Sequence, residues 1–424
     1  MRNGCQLITY PDSLGGNLRA LGTVLRDYVG NAVVGVHILP FFPSSADRGF
    51  APLTYREVDP AFGTWTDLEE ALSGRDFIVD FMFNHISRRS EHFQDFVRRH
   101  DRSQYRDLFI RYKDFWPRGE PSEQDLSRIY TRKPRPPYVE VEFDDGTTEK
   151  VWCTFDYEQI DLNMRSEAGR EFIRESLEFL CRFEPSLIRL DAFAYAAKRP
   201  GTSCFFVEPD VWELLSFAQE TVAPYGAALL PEVHEHHTMQ QKISDHGYWV
   251  YDFALPMLVL QAIYDADGSN LTRWLASCPR RQVTTLDTHD GIGVVDVRGL
   301  MSDEDIDRTK ENLFGQGASA KRIYNTPTYN NLDIYQINCT YYSALGNDDD
   351  AYILARAIQL FAPGVPQVYY VGLLAGANDV ELVEETKIGR DINRHDYTLA
   401  EIEREVERPV VRRLLRLMEF RNNH

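Results

Sequence analysis

The chain has 424 residues, of which 43% are hydrophobic and 26% are charged, a composition typical of a soluble globular protein. This length allows one large α/β barrel with insertions or two to three smaller domains. The net charge of −19, from 46 basic and 65 acidic residues, argues against a general nucleic-acid binder or a binder of anionic membranes.

Eight short apolar segments that end in polar residues predict buried strands. Near-continuous apolar runs of this length are typical of parallel sheets that are covered on both faces. In chain order the segments are CQLITY (5–10), VVGVHILP (33–40), FIVDFMFNH (77–85), LIRLDA (187–192), AALLPEVH (227–234), YWVYDFAL (248–255), VTTLDTHD (283–290) and PQVYYVG (366–372).

Helical patterns lie between many of these segments. Examples are NLRALGTVLRDYV (17–29), EAGREFIRESLEFLCRF (167–183) and DVWELLSFAQETVA (210–223). Strands that alternate with helices favour a parallel sheet built from βαβ units. Eight such strands predict an α/β protein with a (β/α)8 barrel, the TIM-barrel fold.

Two connections are too long for a simple step from strand to helix. Residues 86–166 are rich in charge, aromatic side chains and proline, and predict an inserted domain over the mouth of the barrel. Residues 292–346 predict a second inserted subdomain. The barrel itself is then expected to comprise residues 1–85, 167–291 and 347–424.

Targeting signals and cysteine pairs are not evident. The first ten residues, MRNGCQLITY, lack the apolar segment of a signal peptide, and no run of about 18 apolar residues predicts a membrane span. The six cysteines are scattered and form no CxxC pair, so we expect neither disulfides nor a cysteine metal site. A reduced, cytoplasmic protein is the expectation.

Polar residues cluster at four predicted strand ends, where barrels of this kind carry their functional side chains. Core packing explains one such end easily, but it explains four less well. The four groups are Asn84 with His85, Arg189 with Asp191, Glu232 with His234, and His289 with Asp290.

Arg189 and Asp191 lie two residues apart in LIRLDAFAY, so both side chains leave the strand on the same side. Burying charge is costly unless the charge is paired. Two interpretations are therefore open: a structural ion pair, or an active-site carboxylate that its neighbour keeps ionised.

Asp191, Glu232 and Asp290 lie at the ends of three different predicted strands. Retaining glycoside chemistry needs one ionised carboxylate as nucleophile and one carboxylic acid as proton donor, about 5 to 5.5 Å apart. These three residues supply such groups. We expect Arg189 to lower the pKa of Asp191, and neighbouring carboxylates to raise the pKa of Glu232.

Four motifs resemble those of the α-amylase family, glycoside hydrolase family 13, and occur in the family's order. They are DFMFNH (80–85), IRLDAFAY (188–195), PEVH (231–234) and LDTHD (286–290). The likeness covers almost the whole chain, and further stretches resemble the sucrose phosphorylase group within that family. These are QLITYPDSLG, GVHILPFFPSSADRGFAP, YDFALP, LDTHDGIGVVDV, NNLDIYQIN, TYYSALG, PGVPQVYYVGLLAG and GRDINRH.

This resemblance implies roles for individual residues. Asp191 would be the nucleophile, Glu232 the general acid/base and Asp290 the transition-state stabiliser. The residues implied to hold the donor glucose are Asp47, His85, Arg189, His289 and Arg390, with Phe50 and Phe155 as apolar walls. The residues implied to border the acceptor are Tyr195, His234, Asp333, Tyr335 and Gln336. The alternatives are a turn or N-cap role for Asp47, a hydrogen-bonded core position for His85, a salt bridge for Arg390, plain core packing for Phe50 and Phe155, and a strand with outward polar residues for 332–336.

The segment SRIYTRKPRPP (127–137) concentrates positive charge within the first predicted insertion. Phosphate that enters a pocket with three acidic groups needs cations to offset the repulsion. We therefore expect Arg132, Lys133 and Arg135 to bind phosphate, with Arg132 and Lys133 as the stronger candidates. An ordinary exposed basic loop, which would also include Arg128, is the alternative.

The activity that the resemblance implies is reversible phosphorolysis of sucrose to α-glucose 1-phosphate and fructose, through a glucosyl-Asp191 intermediate. Sucrose 6′-phosphate is a close alternative donor, because its additional phosphate would use the same basic segment. Glucosylglycerol or glucosylglycerate phosphorolysis and α-glucosidase-type hydrolysis are further alternatives. A non-catalytic sugar-binding protein is disfavoured because all three carboxylates are present.

The resemblance implies no cofactor and no metal. The expected partners are small-molecule substrates and inorganic phosphate, without nucleic acid or membrane, and the protein is expected to be a monomer or a homodimer. Members of the group usually carry a small β domain after the barrel. Because this sequence stops at MEFRNNH (418–424), we expect that domain to be truncated or absent.

Overall fold

The structure, a computed structural model, describes residues 1–131, 133, 135–320 and 336–424. Its central sheet has eight strands, and every strand pairing in that sheet is parallel. The strands are β1 (Gln6–Thr9), β2 (Gly35–Ile38), β3 (Asp76–Met82), β4 (Leu187–Asp191), β5 (Ala228–Pro231), β6 (Val250–Asp252), β7 (Gln282–Thr284) and β8 (Val365–Tyr369).

The strand order is β6-β7-β8-β1-β2-β3-β4-β5. Because strands that follow one another in the chain are neighbours and β8 pairs with β1, the sheet curls into a nearly closed barrel. The register of β3 and β4 places Asp80 beside Arg189 and Met82 beside Asp191. The predicted (β/α)8 barrel is confirmed, and each of its eight strands lies within or overlaps the apolar segment that predicted it.

Helices follow the strands, as expected for βα units. They are Leu18–Val24, Trp65–Ala71, Glu167–Cys181, Asp210–Val222, His237–Asp245, Leu255–Asp265, Ser269–Ser277, Asp349–Phe361, Tyr370–Leu373, Val380–Thr386, Leu399–Glu405 and Pro409–Asn423. The helix predicted for residues 17–29 ends at Val24 and continues as a π-helical turn, Leu25–Val29.

The helix Glu167–Cys181 illustrates why these segments are helical. Ser166 precedes the helix and accepts a hydrogen bond from the Gly169 N–H, which satisfies one of the free donors of the first turn. Ile173, Leu177 and Leu180 recur at helical spacing and are fully buried. The helix therefore packs one apolar face into the core and leaves its charged residues on the other.

The first insertion leaves the barrel after β3 and returns beside the point where it leaves. The short strand His85–Ser87 pairs antiparallel with Gln159–Asp161, and the register places His85 beside Asp161. The elements between are the helices Glu91–Arg99, Tyr112–Phe115 and Glu123–Arg128 and the hairpin of Tyr138–Glu142 with Thr148–Trp152. Tyr112, Trp116 and Trp152 belong to an apolar cluster separate from the main core. The proposed limits, 86–166, stay a prediction.

The second insertion lies between β7 and the helix Asp349–Phe361. Its elements are Ile292–Gly293, Asp303–Gly315, Ser319–Ala320, Gln336–Asn338 and Tyr341–Ala344. Gln336–Asn338 pairs antiparallel with both shorter strands, which brings this segment back to the chain that follows Asp290. Its predicted limits, 292–346, also stay a prediction.

All six cysteines are buried and free. Among the residues that the structure describes, every helix is too short or too polar to cross a membrane.

Candidate active site

A cavity of about 510 Å³ opens where the strands end. Asp191 is the last residue of β4, while His85, Glu232 and Asp290 follow β3, β5 and β7. The predicted residues that line the cavity are Asp47, Phe50, His85, Lys133, Phe155, Asp191, Tyr195, Glu232, His234, His289, Asp290, Gln336 and Arg390. Lining residues without a predicted role are Ala46, Asp156, Gln159, Ala192, Ala194, Phe205, Val233, Asn338 and Ile388.

Five predicted residues are not among these lining residues. Arg189 is only 3% exposed and contacts Asp191 and Glu232 from outside the cavity wall. Arg135 also lies outside the wall. Arg132, Asp333 and Tyr335 lie outside the described residues.

Arg189 joins two of the three carboxylates. Its Nη1 lies 2.9 Å from Asp191 Oδ1, and its Nη2 lies 3.1 Å from Glu232 Oε1. The period of the strand explains the first contact, because residues two apart share one side of β4. The contact between Arg189 and Asp191 that the first interpretation predicted is present, and the carboxyl group of Asp191 also faces the cavity.

Asp80 and His37 complete this charge network beneath the cavity. Arg189 Nη1 also donates to Asp80 Oδ1, and His37 Nε2 lies 2.7 Å from Asp80 Oδ2. His37 and Asp80 are fully buried and sit on the neighbouring strands β2 and β3. The sequence patterns gave these two residues no role, although both are polar residues within apolar runs, as Arg189 is.

Glu232 accepts from three donors. Besides Arg189, His234 Nε2 lies 3.2 Å from Oε1, and the Ala192 N–H donates to Oε2 at 3.0 Å. Ala192 has φ 52° and ψ 27°, a left-handed conformation that costs an alanine on the order of 1 kcal/mol. This turn directs the backbone N–H that follows Asp191 towards Glu232.

The environment of the two carboxyl groups separates their pKa values. Burial and the charge of Glu232 raise the pKa of Asp191 well above its usual value, although Arg189 opposes the rise. Burial also opposes ionisation of Glu232, but Arg189 and His234 outweigh it and hold the pKa of Glu232 at about 2. Arg189 does lower the pKa of Asp191 and Asp290 does raise the pKa of Glu232, as predicted, but other contributions are larger and the net directions are opposite. The reason is that Glu232 has three donors, whereas Asp191 shares one guanidinium nitrogen with Asp80.

Asp290 is held by two basic side chains. Arg390 Nη1 lies 3.1 Å from Oδ1, and His289 Nε2 lies 3.5 Å from Oδ2. Burial opposes ionisation, but His289 and Arg390 hold the pKa of Asp290 well below its usual range. Burial lowers the pKa of His289 itself to about 4. Asp290 thus faces the cavity as an anion, and one oxygen each of Glu232 and Asp290 lie within 4.8 Å of one another.

Aromatic rings form one side of the cavity. The Phe50 ring stacks on the His289 ring with centroids 5.0 Å apart. The backbone carbonyl oxygen of Phe50 lies 3.0 Å from His85 Nε2. Phe155 meets His85 and Tyr195 edge to face, at 5.5 and 4.9 Å. Both phenylalanines therefore pack against other rings and also form an apolar part of the cavity wall.

Lys198 anchors this wall from behind and was not found from the sequence. Its Nζ lies 2.7 Å from Asn84 Oδ1 and 2.8 Å from Asp161 Oδ2, and both charged side chains are buried. Asn84 precedes His85, and Asp161 belongs to the strand through which the first insertion returns. This ion pair therefore fixes the insertion to the end of β3.

The basic segment contributes Lys133 to the cavity wall. Arg135 instead donates from Nη2 to the Phe155 carbonyl at 2.7 Å and stacks over Tyr157, with 4.3 Å from Cζ to the ring centroid. Arg128 is exposed and donates to the Gly201 carbonyl. Among the described members of this segment, Lys133 is thus placed to meet an anion in the cavity, and Arg135 supports the backbone of Phe155.

The chemistry that this arrangement can perform follows from its charges. Three carboxyl groups face one cavity, with Arg189 behind two of them and Arg390 beside the third. If Asp191 and Glu232 hold one proton between them, they provide a nucleophile and an acid together, which retaining transfer of a glycosyl group requires.

Comparison with known proteins agrees with the motifs. The family model described as "Alpha amylase, catalytic domain" matches residues 26–241, about half of the chain. A sucrose phosphorylase of Streptococcus mutans is 54% identical, over 99% of this chain and 87% of that protein. A glucosylglycerol phosphorylase of Marinobacter adhaerens is 48% identical, over 100% of this chain and 88% of that protein.

The fold of one relative is known from its crystal structure. The sucrose 6F-phosphate phosphorylase of Thermoanaerobacter thermosaccharolyticum superposes with a TM-score of 0.96 at 47% identity, covering 100% of this chain and 88% of the other. The chain therefore belongs to the α-amylase family and, within it, to the sucrose phosphorylase group of glycoside phosphorylases.

Proposed function

We propose that this protein catalyses the reversible phosphorolysis of sucrose to α-glucose 1-phosphate and fructose, through a covalent glucosyl-Asp191 intermediate. The observation that carries the proposal is the convergence of Asp191, Glu232 and Asp290 on one cavity whose wall also contains Lys133. A cation in the cavity wall suits an anionic acceptor, and the carboxylates suit transfer with retention.

In the first step, Asp191 attacks the anomeric carbon while Glu232 protonates the departing fructosyl oxygen. The proton must therefore lie on Glu232 when the donor is bound. Sugar hydroxyls that donate to Asp191 would stabilise its ionised form and so favour transfer of the shared proton to Glu232. Asp290, anionic beside Arg390, stabilises the positive charge that develops on the glucosyl ring.

In the second step, phosphate enters the position that fructose has left. Its oxygen attacks the glucosyl ester of Asp191, and Glu232, now ionised, accepts the proton if the attacking oxygen carries one. Two inversions give net retention, so the product is α-glucose 1-phosphate. Lys133 offsets the repulsion between phosphate and the acidic groups of the cavity.

Sucrose 6′-phosphate is the second candidate donor. Lys133 would then contact the phosphate on the fructosyl unit, and the relative with the TM-score of 0.96 carries that substrate in its name. A glucosylglycerol donor is a third candidate, because a relative of similar identity is named for it. The polar groups that surround the leaving group decide between these donors.

Initial rates on the three donors, each with phosphate, test the proposal. The predicted result is that sucrose gives the highest kcat/KM and that glucose 1-phosphate forms in step with fructose. Faster turnover of either other donor would contradict sucrose as the substrate but keep the phosphorylase mechanism. Free glucose at the same rate with and without phosphate would contradict phosphorolysis and favour a hydrolase. An Asp191→Asn variant provides the background rate.

A further inference from the structure

His37 and Asp80 form a buried pair below the cavity that the proposed mechanism does not use. We infer that Asp80, held by a hydrogen bond from His37, neutralises the positive charge of Arg189. The catalytic pair Asp191 and Glu232 therefore keeps one proton. The inference rests on the proposed function, since it concerns the proton that Glu232 gives to the leaving group. Asp80 is thus a positioning residue that acts through Arg189.

The contacts of Arg189 are the geometric basis. One guanidinium meets three carboxyl groups: Asp80 through Nη1, Asp191 through Nη1 and Glu232 through Nη2. Of the three, Asp80 is the one with no exposure, and its second oxygen accepts from His37 Nε2 at 2.7 Å. With donors on both oxygens, Asp80 is fixed as an anion, and its pKa stays below its usual value because Arg189 and His37 outweigh the effect of burial.

The charges around Arg189 then limit the ionisation of the catalytic pair. The single positive charge of Arg189 is already matched by Asp80. If Asp191 and Glu232 both ionised, two further negative charges would lie against a guanidinium that is neutralised on its inner side. In a buried site this arrangement is strongly unfavourable, so the pair retains one proton. That proton is the one that a general acid requires.

Other charged groups face the pair from the surrounding strands and loops. Asp290 adds negative charge, and Arg390 offsets it at 3.1 Å. His234 donates to Glu232 from the loop after β5. The groups that face the Arg189, Asp191 and Glu232 network are Asp80 on β3, Tyr251 on β6, His234 after β5, His289 and Asp290 after β7, Arg390 in the loop after β8, and Tyr55 and Asp47 after β2. Among them, Asp80 is the anion that shares Arg189 with the pair.

A purely structural role for Asp80 predicts something different. If Asp80 only held the guanidinium in place, its loss would lower activity on every donor and leave the pH dependence in position. If Asp80 keeps the proton on the pair, its loss lets both carboxyls ionise at lower pH. The reaction then suffers only where the leaving group needs that proton.

The test compares two donors in an Asp80→Asn variant. Sucrose needs protonation of its leaving oxygen, whereas α-glucosyl fluoride releases fluoride with little help from an acid. We expect kcat/KM for sucrose, measured above the wild-type alkaline limb, to fall by about 10-fold or more and kcat/KM for α-glucosyl fluoride by less than ~2-fold, because the alkaline limb of the sucrose profile moves down by about one pH unit or more. The matched control is Asp252→Asn, which changes another buried carboxylate on a strand, one that contacts Trp274 and Gln282. In this control the alkaline limb of the sucrose profile should stay in its wild-type position.

Equal losses on both donors, with the alkaline limb in its wild-type position, would overturn the inference and leave Asp80 a structural role. If Asp80→Asn does not fold, the same comparison can be made with His37→Phe, because Asp80 ionises less readily without this hydrogen-bond donor. The alkaline limb of the sucrose profile should then move to lower pH by a smaller amount. An alkaline limb in its wild-type position would overturn the inference. Wild-type protein that turns over neither donor would overturn the proposed function and the inference together. Turnover by the wild type with an unmoved limb in the variants overturns the inference alone.

Discussion

Arg390 and Asp290 are 100 residues apart in the chain, yet Nη1 of one lies 3.1 Å from Oδ1 of the other. The second terminal nitrogen of Arg390 lies 3.5 Å from Asp47 Oδ1. A single guanidinium thus holds two carboxylates that come from the loops after β2 and β7. Both carboxylates line the cavity, so Arg390 sets the spacing of two acidic groups in the proposed sugar site.

Replacing Arg390 by alanine should lower kcat/KM on the order of 100-fold, about 2.7 kcal/mol, because Asp290 and Asp47 lose their shared partner and repel one another. Arg390→Lys should recover only part of this loss, since an ammonium cannot bridge both carboxylates in the same way. Steady-state kinetics on the physiological donor measure the effect. The control is Lys387→Gln, which changes an exposed cation three residues earlier in the chain. An equal loss of kcat/KM in this control would contradict the role of Arg390 in holding Asp290 and Asp47.

His234→Asn should move the alkaline limb of the kcat/KM profile to higher pH. Burial raises the pKa of Glu232, and Arg189 and His234 together lower it; without His234 the ionised form is less stable. Asp191 and Glu232 therefore keep their last shared proton up to a higher pH than in the wild type, and activity is lost at a correspondingly higher pH. The rate profile between about pH 5 and pH 10 checks this sign.

The control for the His234 experiment is His246→Asn. His246 is exposed and stacks on Trp212, so its change should leave the profile in place. A limb that moves to lower pH in His234→Asn would show that the contact with Glu232 does not stabilise the carboxylate.

Lys133→Ala should raise the KM for phosphate by about 10-fold, roughly 1.4 kcal/mol, because an anion then meets the acidic cavity without this cation. Arg128→Ala removes the same charge from the same segment outside the cavity and should change KM less than ~2-fold. The saturation curve for phosphate at fixed donor concentration measures both. Equal effects in the two variants would indicate general electrostatic attraction and no direct contact.

Lys198→Ala should destabilise the protein by about 3–5 kcal/mol, because it leaves Asp161 buried without its cation. Activity should fall as well, since Asn84 loses the donor that orients it beside His85. Thermal unfolding followed by circular dichroism gives the stability. Lys150→Ala, which breaks a surface pair with Glu120, should cost at most ~1 kcal/mol, and a similar cost for both variants would contradict the role of burial.

The barrel was predictable from sequence because its signals are local. Each strand is a short apolar run followed by polar residues, and the helix Glu167–Cys181 begins after a capping serine that is visible in the sequence. The end of the first helix was less predictable, because the segment Leu25–Val29 continues the same apolar pattern in a different helical form.

The three carboxylates were predictable for the same reason, since each ends or follows a strand. The network beneath them was not, although its signal was present. Period two singled out Arg189 in LIRLDAFAY, and the same argument applies to Asp80 in FIVDFMFNH and His37 in VVGVHILP. What was missing was the strand register that makes these three side chains neighbours.

The pKa directions of Asp191 and Glu232 depend on contacts that no pattern contains. The N–H of Ala192 reaches Glu232 only because Ala192 adopts a left-handed conformation. Arg135 illustrates the same limit, because its charge suggested phosphate, whereas its guanidinium binds the Phe155 carbonyl. Residue type predicts which groups a site contains, and tertiary geometry decides how they share protons and partners.

The most direct test of the account is to locate the covalent intermediate. In a Glu232→Gln variant, α-glucosyl fluoride should still glucosylate the enzyme, while removal of the glucosyl group by water should be slow for lack of a base. Intact-mass analysis followed by peptide mapping should then find one added glucosyl unit, attached to Asp191. A glucosyl unit on another residue, or no adduct while the variant still turns over donor to α-configured product, would contradict the assignment of Asp191 as the nucleophile.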